Sequence, residues 1–547
     1  MKIYQALANA FYREQADTCF ALLGDANMHW AGALATLGVK CIYTRHEHAA
    51  VAAASAYARA TGKVGIATVT CGPGLTQVMT ILPIAVRARL PLVLFAGEAP
   101  INKPWYNQAI DHQPFVNACG ADYRSLLHPD HMIDAVHSAF SDAKKTRQPI
   151  VIGVPFDLQQ QAYQGPTDLP VSNERYQPPA PPAPDSNAVA EAATWINRAT
   201  RPVVLAGLGA VDARADCIAL AEHCGAALAT TLPAKGLFYD QSYSLGVAGG
   251  FATERAKAIF AETDLIIAIG ARLASHTFDG GKLAPDARVI HVDLSPNEYV
   301  QGRKAADLMI TGDAKLSAQA LITSVSQQGG LRNSAMQQRC ADALRLPDDS
   351  HTPDGALHPM AVIKALSNIV PAHCHVVNTS GHSAYYTAQM NHHPQSHYTV
   401  IRDFGAIGNG TSFAMGIASA HPSRPVILID GDGSALMHIQ ELETMKRHGM
   451  HILVLVLNDG AYGSEVHKLR ADGVTDEGSV FGRPDFANIG RGFGLHGETI
   501  TSLDVLEKCM REFLAGNSAA IWDIHISDQI ASPQILKAHQ ATHDNVK

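Results

Sequence analysis

Between Val426 and Gly463 the chain reads VILIDGDGSALMHIQELETMKRHGMHILVLVLNDGAYG, an order of residues that few architectures accommodate. VILID and ILVLVL are short apolar runs of the kind buried on both faces of a parallel sheet. Between them, from Met437 to Lys446, the apolar positions Ile439, Leu442 and Met445 recur at helical spacing. Glu441, Glu443 and Lys446 form the polar face, and Gly449 is placed to stop the helix. The result is a βαβ unit with an acidic residue beyond each strand, at the sheet edge where ligands bind. Gly431, Asp432, Gly433 and Ser434 would let a phosphate approach the backbone closely. Asp432 and Asp459 side by side would repel unless a cation sat between them, and hard oxygen ligands beside phosphate suit Mg²⁺ or Ca²⁺. Asp-Gly and Asn-Asp-Gly are also ordinary turn chemistry, so at this level the metal and the turn both stand.

At 547 residues the chain exceeds one core, and about three domains is the natural division. Hydrophobic residues make up 47% and charged residues 17%, a balance typical of a globular enzyme. The net charge of −8 without a long basic run argues against nucleic acid and anionic membranes as partners. No apolar stretch reaches about 18 residues, and the opening MKIYQALANAFYREQ lacks the apolar core of a signal peptide. Nine cysteines without a CxxC pair fit free thiols in a reducing cytoplasm. His392 and His393 lie in a polar stretch that reads as a loop.

The first region alternates helical patterns with the strand patterns CFALLG, CIYTR, VGIATVT, PLVLFAGE and PIVIGVP, which implies a parallel sheet covered by helices. Glu47 opens the Ala-rich helix AAVAAASAYARATG, where the dipole favours its anion. YQPPAPPAPD, with five prolines, is a stiff connector. RPVVLAGLGAV, DLIIAIGARL and RVIHVDLSP then repeat the α/β pattern, with Gly207 and Gly209 at an ordinary strand-to-helix turn. Residues 325–356 read as a second linker, after which LHPMAVIKALSNIV, HVVNT and FGAIGNGTSFAMGIASA lead to the βαβ unit. Three domains follow: 1–170, 186–325 and 355–535, each a parallel α/β sheet.

The GDG motif with its later Asn-Asp pair, Glu47 before its Ala-rich helix, and the GPG turn at Gly72 together resemble thiamine diphosphate (ThDP) enzymes of the acetolactate synthase and pyruvate decarboxylase superfamily. The resemblance covers nearly the whole chain and implies pyrimidine-binding, middle and diphosphate-binding domains in that order. It also implies that Asp432, Asp459 and the Ala461 carbonyl hold the metal on the diphosphate; the family usually has Asn where this chain has Asp459. Glu47 corresponds to the activating Glu, whose partly buried carboxyl exchanges a proton with N1′ of the aminopyrimidine. Ser380, Gly381, His382 and Ser383 correspond to diphosphate contacts, as do Gly431, Gly433, Ser434, Tyr462 and Gly463. Ile407, in the turn that holds Gly405, matches the bulky residue that bends the cofactor. Asp25, His112, Gln113 and Glu465 match substrate-side residues of related decarboxylases and carboligases.

The activity implied is loss of CO₂ from a 2-oxoacid and ligation of the acyl unit to an aldehyde or ketone acceptor, as in acetolactate synthase. A non-ligating decarboxylase or 2-hydroxyketone lyase is the alternative, and a non-catalytic nucleotide-binding or regulatory relative is the alternative of another class. A homodimer or homotetramer with sites between subunits is expected. FAD is not expected, because Arg272-Leu273-Ala274-Ser275-His276 replaces an Asp-Asp-Arg-containing segment of flavin-binding acetolactate synthases.

Overall fold

Apolar runs flanked by glycine turns build three six-stranded parallel sheets in the computed structural model, which describes residues 1–348 and 350–544. The first sheet comprises β1 (Thr18–Ala21), β2 (Lys40–Tyr43), β3 (Gly65–Val69), β4 (Leu92–Glu98), β5 (Asp122–Ser125) and β6 (Pro149–Pro155), in the order β2-β1-β3-β4-β6-β5. The second holds β7 (Pro202–Ala206), β8 (Ala227–Thr230), β9 (Ser244–Val247), β10 (Leu265–Ile269) and β11 (Arg288–Asp293). A small antiparallel pair, β12 (Tyr299–Val300) and β13 (Arg303–Lys304), precedes its last strand, β14 (Leu308–Thr311), and the order is β14-β11-β10-β7-β8-β9. The third contains β15 (His375–Asn378), β16 (Tyr398–Val400), β17 (Val426–Gly431), β18 (Ile452–Asn458), β19 (His496–Ile500) and β20 (Ala520–His525), in the order β16-β15-β17-β18-β20-β19.

The first and third sheets thus share one topology, and in the third the strand order reverses between β15 and β17. A crevice opens at such a reversal, outside the carboxyl ends of the strands. There the chain places Ser380–Ser383 after β15 and Asp432 after β17.

Two local expectations are corrected. The single helix expected over Met437–Lys446 is two, Asp432–Met437 and Glu441–Arg447, interrupted at His438 with φ −133° and ψ 39°. Leu442 and Met445 keep the buried face of the second, and Gly449 (φ 59°) lies just past its end. The expected second linker holds the helix Ser334–Leu344, whose Met336, Cys340 and Ala343 pack into the core beneath the middle sheet. Short polar strands such as β5 and β19 also escaped the reading of apolar runs. His392 and His393 lie in a loop as expected, with the His393 ring buried.

The first and third sheets are joined by two helices of small residues. Helix Glu47–Thr61 lies on helix Gly410–Ala420, and Ala49–Ala58 share one apolar core with Phe413, Ala414 and Ile417. A Cβ at Gly416 would overlap the Ala53 carbonyl and stand 2.7 Å from the Ala56 Cβ, so glycine sets the helix separation. Arg59 crosses the same joint, donating to the Val400 carbonyl at 2.6 Å and pairing with Asp403 at 3.1 Å. Gly416→Val should therefore lower stability by about 1–3 kcal/mol, the range for overpacking a tight core. Denaturant unfolding followed by circular dichroism would measure the loss.

Candidate active site

β17 ends at Gly431, and Asp432 is the first residue of the following helix. Its Oδ1 accepts a hydrogen bond from the Gly433 N–H at 2.8 Å, while Oδ2 accepts from the N–H groups of Gly460 at 2.7 Å and Ala461 at 3.2 Å. Both oxygens are thereby oriented by backbone from the ends of two neighbouring strands. The Asp459 side chain is 6% exposed and stands against this carboxyl. Burial pushes both carboxyls above the usual carboxylate range, and the neighbouring Asp459 charge adds to the rise at Asp432.

His382 faces the pair, its Nδ1 3.8 Å from Asp459 Oδ2. Its Nε2 accepts from the Ser532 N–H at 3.1 Å, which places the imidazole proton on Nδ1, toward the carboxylate. Burial lowers its pKa to about 4, so near neutral pH it acts as an N–H donor without charge. His467 packs edge-on against this ring with centroids 4.7 Å apart.

The cleft around these groups is lined by Ser380, Gly381, His382, Ser383, Ile407, Gly431, Gly433, Ser434, Tyr462, Gly463 and Glu465, besides the two aspartates and Ala461. The Ser383 hydroxyl is buried with no hydrogen-bond partner among the described residues, a donor left for something in the cleft. Absent side chains keep the space open. A Cβ at Gly463 would meet Asp459 Oδ2 at 2.5 Å and His382 Nδ1 at 2.8 Å, and one at Gly433 would meet the Tyr462 ring at 2.5 Å. Gly381 (φ 93°) lies beside Ile407, and the Ser434 hydroxyl accepts from the Gly408 N–H at 2.9 Å, tying down the Ile407 turn. Gly405 (φ 76°) shapes that turn from outside the cleft lining.

Hard carboxylate oxygens, an unpaired hydroxyl, a neutral imidazole N–H and missing Cβ atoms form a set that a diphosphate with a divalent cation fits. Among the described residues no three His, Cys, Asp or Glu side chains gather as a metal site. The protein's share of the ligands would therefore be two carboxylates and backbone, with phosphate oxygens supplying others.

The sequence reading missed several supporting residues. Asp430, whose carboxyl burial raises to about 6, accepts from Thr379 Oγ1 at 2.7 Å and from the Gly431 N–H at 3.0 Å. It was visible in VILIDGDG, but its inward direction was not. Ser532 and His467 carry no local signal at all.

Asp25, Glu47, Gly72, His112 and Gln113 gather at the carboxyl edge of the first sheet and line no part of this cleft within the same chain. Glu47 is half-buried at the first position of its helix, its Oε1 3.6 Å from where a Cβ of Gly74 would stand. Asp25 is exposed in the turn after β1, and Gln113 is exposed at the start of helix Gln113–Ala118. His112 is buried, and both ring nitrogens are engaged, Nε2 with the Gly72 N–H at 3.1 Å and Nδ1 with the Tyr123 hydroxyl at 3.3 Å. Glu465 lies in the first turn of helix Gly463–Ala471, its side chain 54% exposed and 3.5 Å from Lys468.

A carboxyl with a raised folded pKa contributes stability at low pH that is lost as pH rises through that pKa. Without metal, the Asp432 and Asp459 pair should destabilise the protein from the usual carboxylate range up to neutrality and above. Asp459→Asn should therefore raise the melting temperature of metal-free protein at pH 8 by about 2–4 °C, the response of a 150–250-residue domain to roughly 1 kcal/mol. The gain should vanish near pH 4. Differential scanning fluorimetry across pH in a chelating buffer checks both the sign and the window.

Three family models match the chain in order: the thiamine pyrophosphate enzyme N-terminal TPP binding domain over residues 1–114, the central domain over 189–321, and the C-terminal TPP binding domain over 379–524. Among curated relatives, the acetolactate synthase large subunit of Parasynechococcus marenigrum is 31% identical, over 95% of this chain and 87% of its own. The acetolactate synthase isozyme 2 large subunit of Escherichia coli is also 31% identical, over 96% and 95%. A probable 2-ketoarginine decarboxylase, AruI, of Pseudomonas aeruginosa is 28% identical, over 93% and 91%. With three parallel sheets and matches along the length of the chain, this protein belongs to the thiamine pyrophosphate enzymes and is an acetolactate-synthase-like, ThDP-dependent enzyme of the carboligase and decarboxylase type.

Proposed function

We propose that this enzyme uses ThDP and Mg²⁺ to release CO₂ from a pyruvate-like 2-oxoacid and to join the remaining acyl unit to a second carbonyl. The observation that carries the reading is the backbone-oriented Asp432 beside Asp459 in the cleft that also holds the unpaired Ser383 hydroxyl. Asp432, Asp459 and the Ala461 carbonyl would hold the cation, Mg²⁺ or Ca²⁺. Ser380, Gly381, His382, Ser383, Gly431, Gly433, Ser434, Tyr462 and Gly463 would cradle the diphosphate, with Ile407 beneath the cofactor. When bound, ThDP supplies the electron sink for the C–C bonding pair left behind as CO₂ departs.

Glu47 moves a proton at the pyrimidine N1′. In one chain it does not line the cleft, so the reading requires the first domain of a second copy to cover the third domain of the first, in a homodimer or homotetramer. The three domains of this arrangement span 1–170, 186–325 and 355–535. Asp25, Gln113 and Glu465 are the polar groups offered to substrate, and a proton donated there would divert the acyl unit to aldehyde. Flavin has no part in this reading, given Arg272–His276. Nine free cysteines suit a reducing cytoplasm, and among the described residues no helix is long and apolar enough to cross a membrane.

Glu47→Gln should lower turnover of a 2-oxoacid by at least about 100-fold, the lower bound for losing a general acid–base group, with ThDP binding by titration calorimetry little changed. Wild-type turnover in that variant would remove Glu47 from the mechanism.

A second reading, simple decarboxylation, is favoured by Glu465, which lines the cleft with its carboxyl largely in solvent. If it protonates the acyl unit, Glu465→Gln should shift product from aldehyde toward hydroxyketone or acetohydroxyacid at equal cofactor occupancy. Product analysis on a panel of 2-oxoacids, with and without aldehyde acceptor, separates the two readings.

A further inference from the structure

β4 ends at Glu98, β5 carries Tyr123 and Ser125, and the loop beyond β4 brings in His112. The Tyr123 hydroxyl donates to Glu98 Oε1, and the Ser125 hydroxyl donates to Glu98 Oε2 at 2.8 Å. Having given its proton to Glu98, the Tyr123 oxygen can only accept from His112 Nδ1, 3.3 Å away. His112 Nε2 in turn accepts the Gly72 N–H at 3.1 Å. The opposite tautomer would set two hydrogens head to head at Gly72, so every donor in the chain from Glu98 to Gly72 is used once and in one direction. A Cβ at Gly153 of β6 would overlap the Tyr123 hydroxyl and stand 2.6 Å from Glu98 Oε1; glycine there leaves room for the pair. His112 is 2% exposed, and burial lowers its pKa to about 4.

The far end of this chain is a backbone under constraint. Gly72 has φ 57° and ψ −109°, a Cβ on it would overlap the Gln108 carbonyl, and in the turn it begins a Cβ on Gly74 would stand 3.6 Å from Glu47 Oε1. We infer that Glu98, Tyr123 and His112 form a positioning relay that holds the Gly72 turn and, through Gly74, the Glu47 carboxyl. His112 is on this account a positioning residue and not a proton donor to substrate. The role of Glu47 toward the pyrimidine rests on the proposed function; the hold on Gly72 does not.

Tyr123→Phe removes the link, and Glu98→Gln keeps an acceptor for the phenol. Two measurements separate the two parts. In cofactor-free protein, hydrogen–deuterium exchange of the Gly72 amide should speed up roughly tenfold in Tyr123→Phe, the scale of one hydrogen bond, and stay near wild type in Glu98→Gln. In protein loaded with ThDP and Mg²⁺, the rate of C2 proton exchange of the bound cofactor, read by quenched-flow NMR without substrate, should fall about tenfold in Tyr123→Phe at unchanged cofactor affinity. Unchanged Gly72 exchange in Tyr123→Phe overturns the relay. Faster Gly72 exchange with undiminished C2 exchange overturns its coupling to Glu47. Wild-type protein that binds ThDP yet shows no accelerated C2 exchange overturns the proposed function and the coupling with it, while the Gly72 measurement still decides the relay itself.

Discussion

Three backbone N–H groups on one carboxylate hold the candidate site together. Asp432 is gripped on one oxygen by its own helix start and on the other by the turn after β18, so the two strand ends cannot move apart without leaving a buried carboxylate unsatisfied. Losing such bonds to a charged group costs on the order of 1.5–3 kcal/mol each. The same arrangement brings Asp459 against Asp432, which is unfavourable while both are ionised and no cation is present. Among the described residues no Lys or Arg pairs with Asp432 or Asp459, so their repulsion is not relieved by an ion pair of the protein's own. The glycines follow from this, because Gly463 and Gly433 stand where any side chain would enter the oxygens or the Tyr462 ring.

A second constraint is the contact between the first and third sheets. Two helices rich in small residues approach until a Cβ at Gly416 would stand 2.2 Å from the Ala53 carbonyl oxygen, and their shared core makes the two sheets one packing unit. Around the start of helix Glu47–Thr61, His48 Nε2–H donates to Asn409 Oδ1 at 2.6 Å, and the buried Glu441 accepts from the Arg45 N–H at 3.0 Å. The residues on both sides of Glu47 are therefore held, while its own carboxyl lies near the Gly74 turn and lines no part of the cleft of its own chain.

The central strands were legible because strands buried on both faces are apolar along most of their length, as β17 is to Ile429 and β18 is to Leu457. The edges were not: β5 reads DYRS and β19 HGETI, half-solvated segments whose pairing is decided by the strand next to them. The break at His438 was invisible for a related reason. Leu442 and Met445 keep helical spacing on the far side of it, so periodicity spans an interruption that only the path of the chain reveals. At the site, Asp432, Asp459 and the glycine turns could be read because their spacing is local. The Ser532 bond that selects the His382 tautomer joins residues 150 positions apart, and no local pattern encodes it.

His112 shows how far a residue type alone can mislead. A histidine in a polar loop near an expected substrate invites an acid–base role, because an exposed imidazole titrates near neutrality. Here the loop folds the ring inward, the Gly72 N–H takes one nitrogen, and a tyrosine already committed to a carboxylate takes the other. A proton leaving Nδ1 would strip the Tyr123 oxygen of its donor, and a proton added at Nε2 would break the hold on Gly72. Either change disturbs the turn beneath Glu47 before it could serve a substrate. Holding the Gly72 turn, as proposed above, uses both nitrogens of this histidine and leaves neither for a substrate.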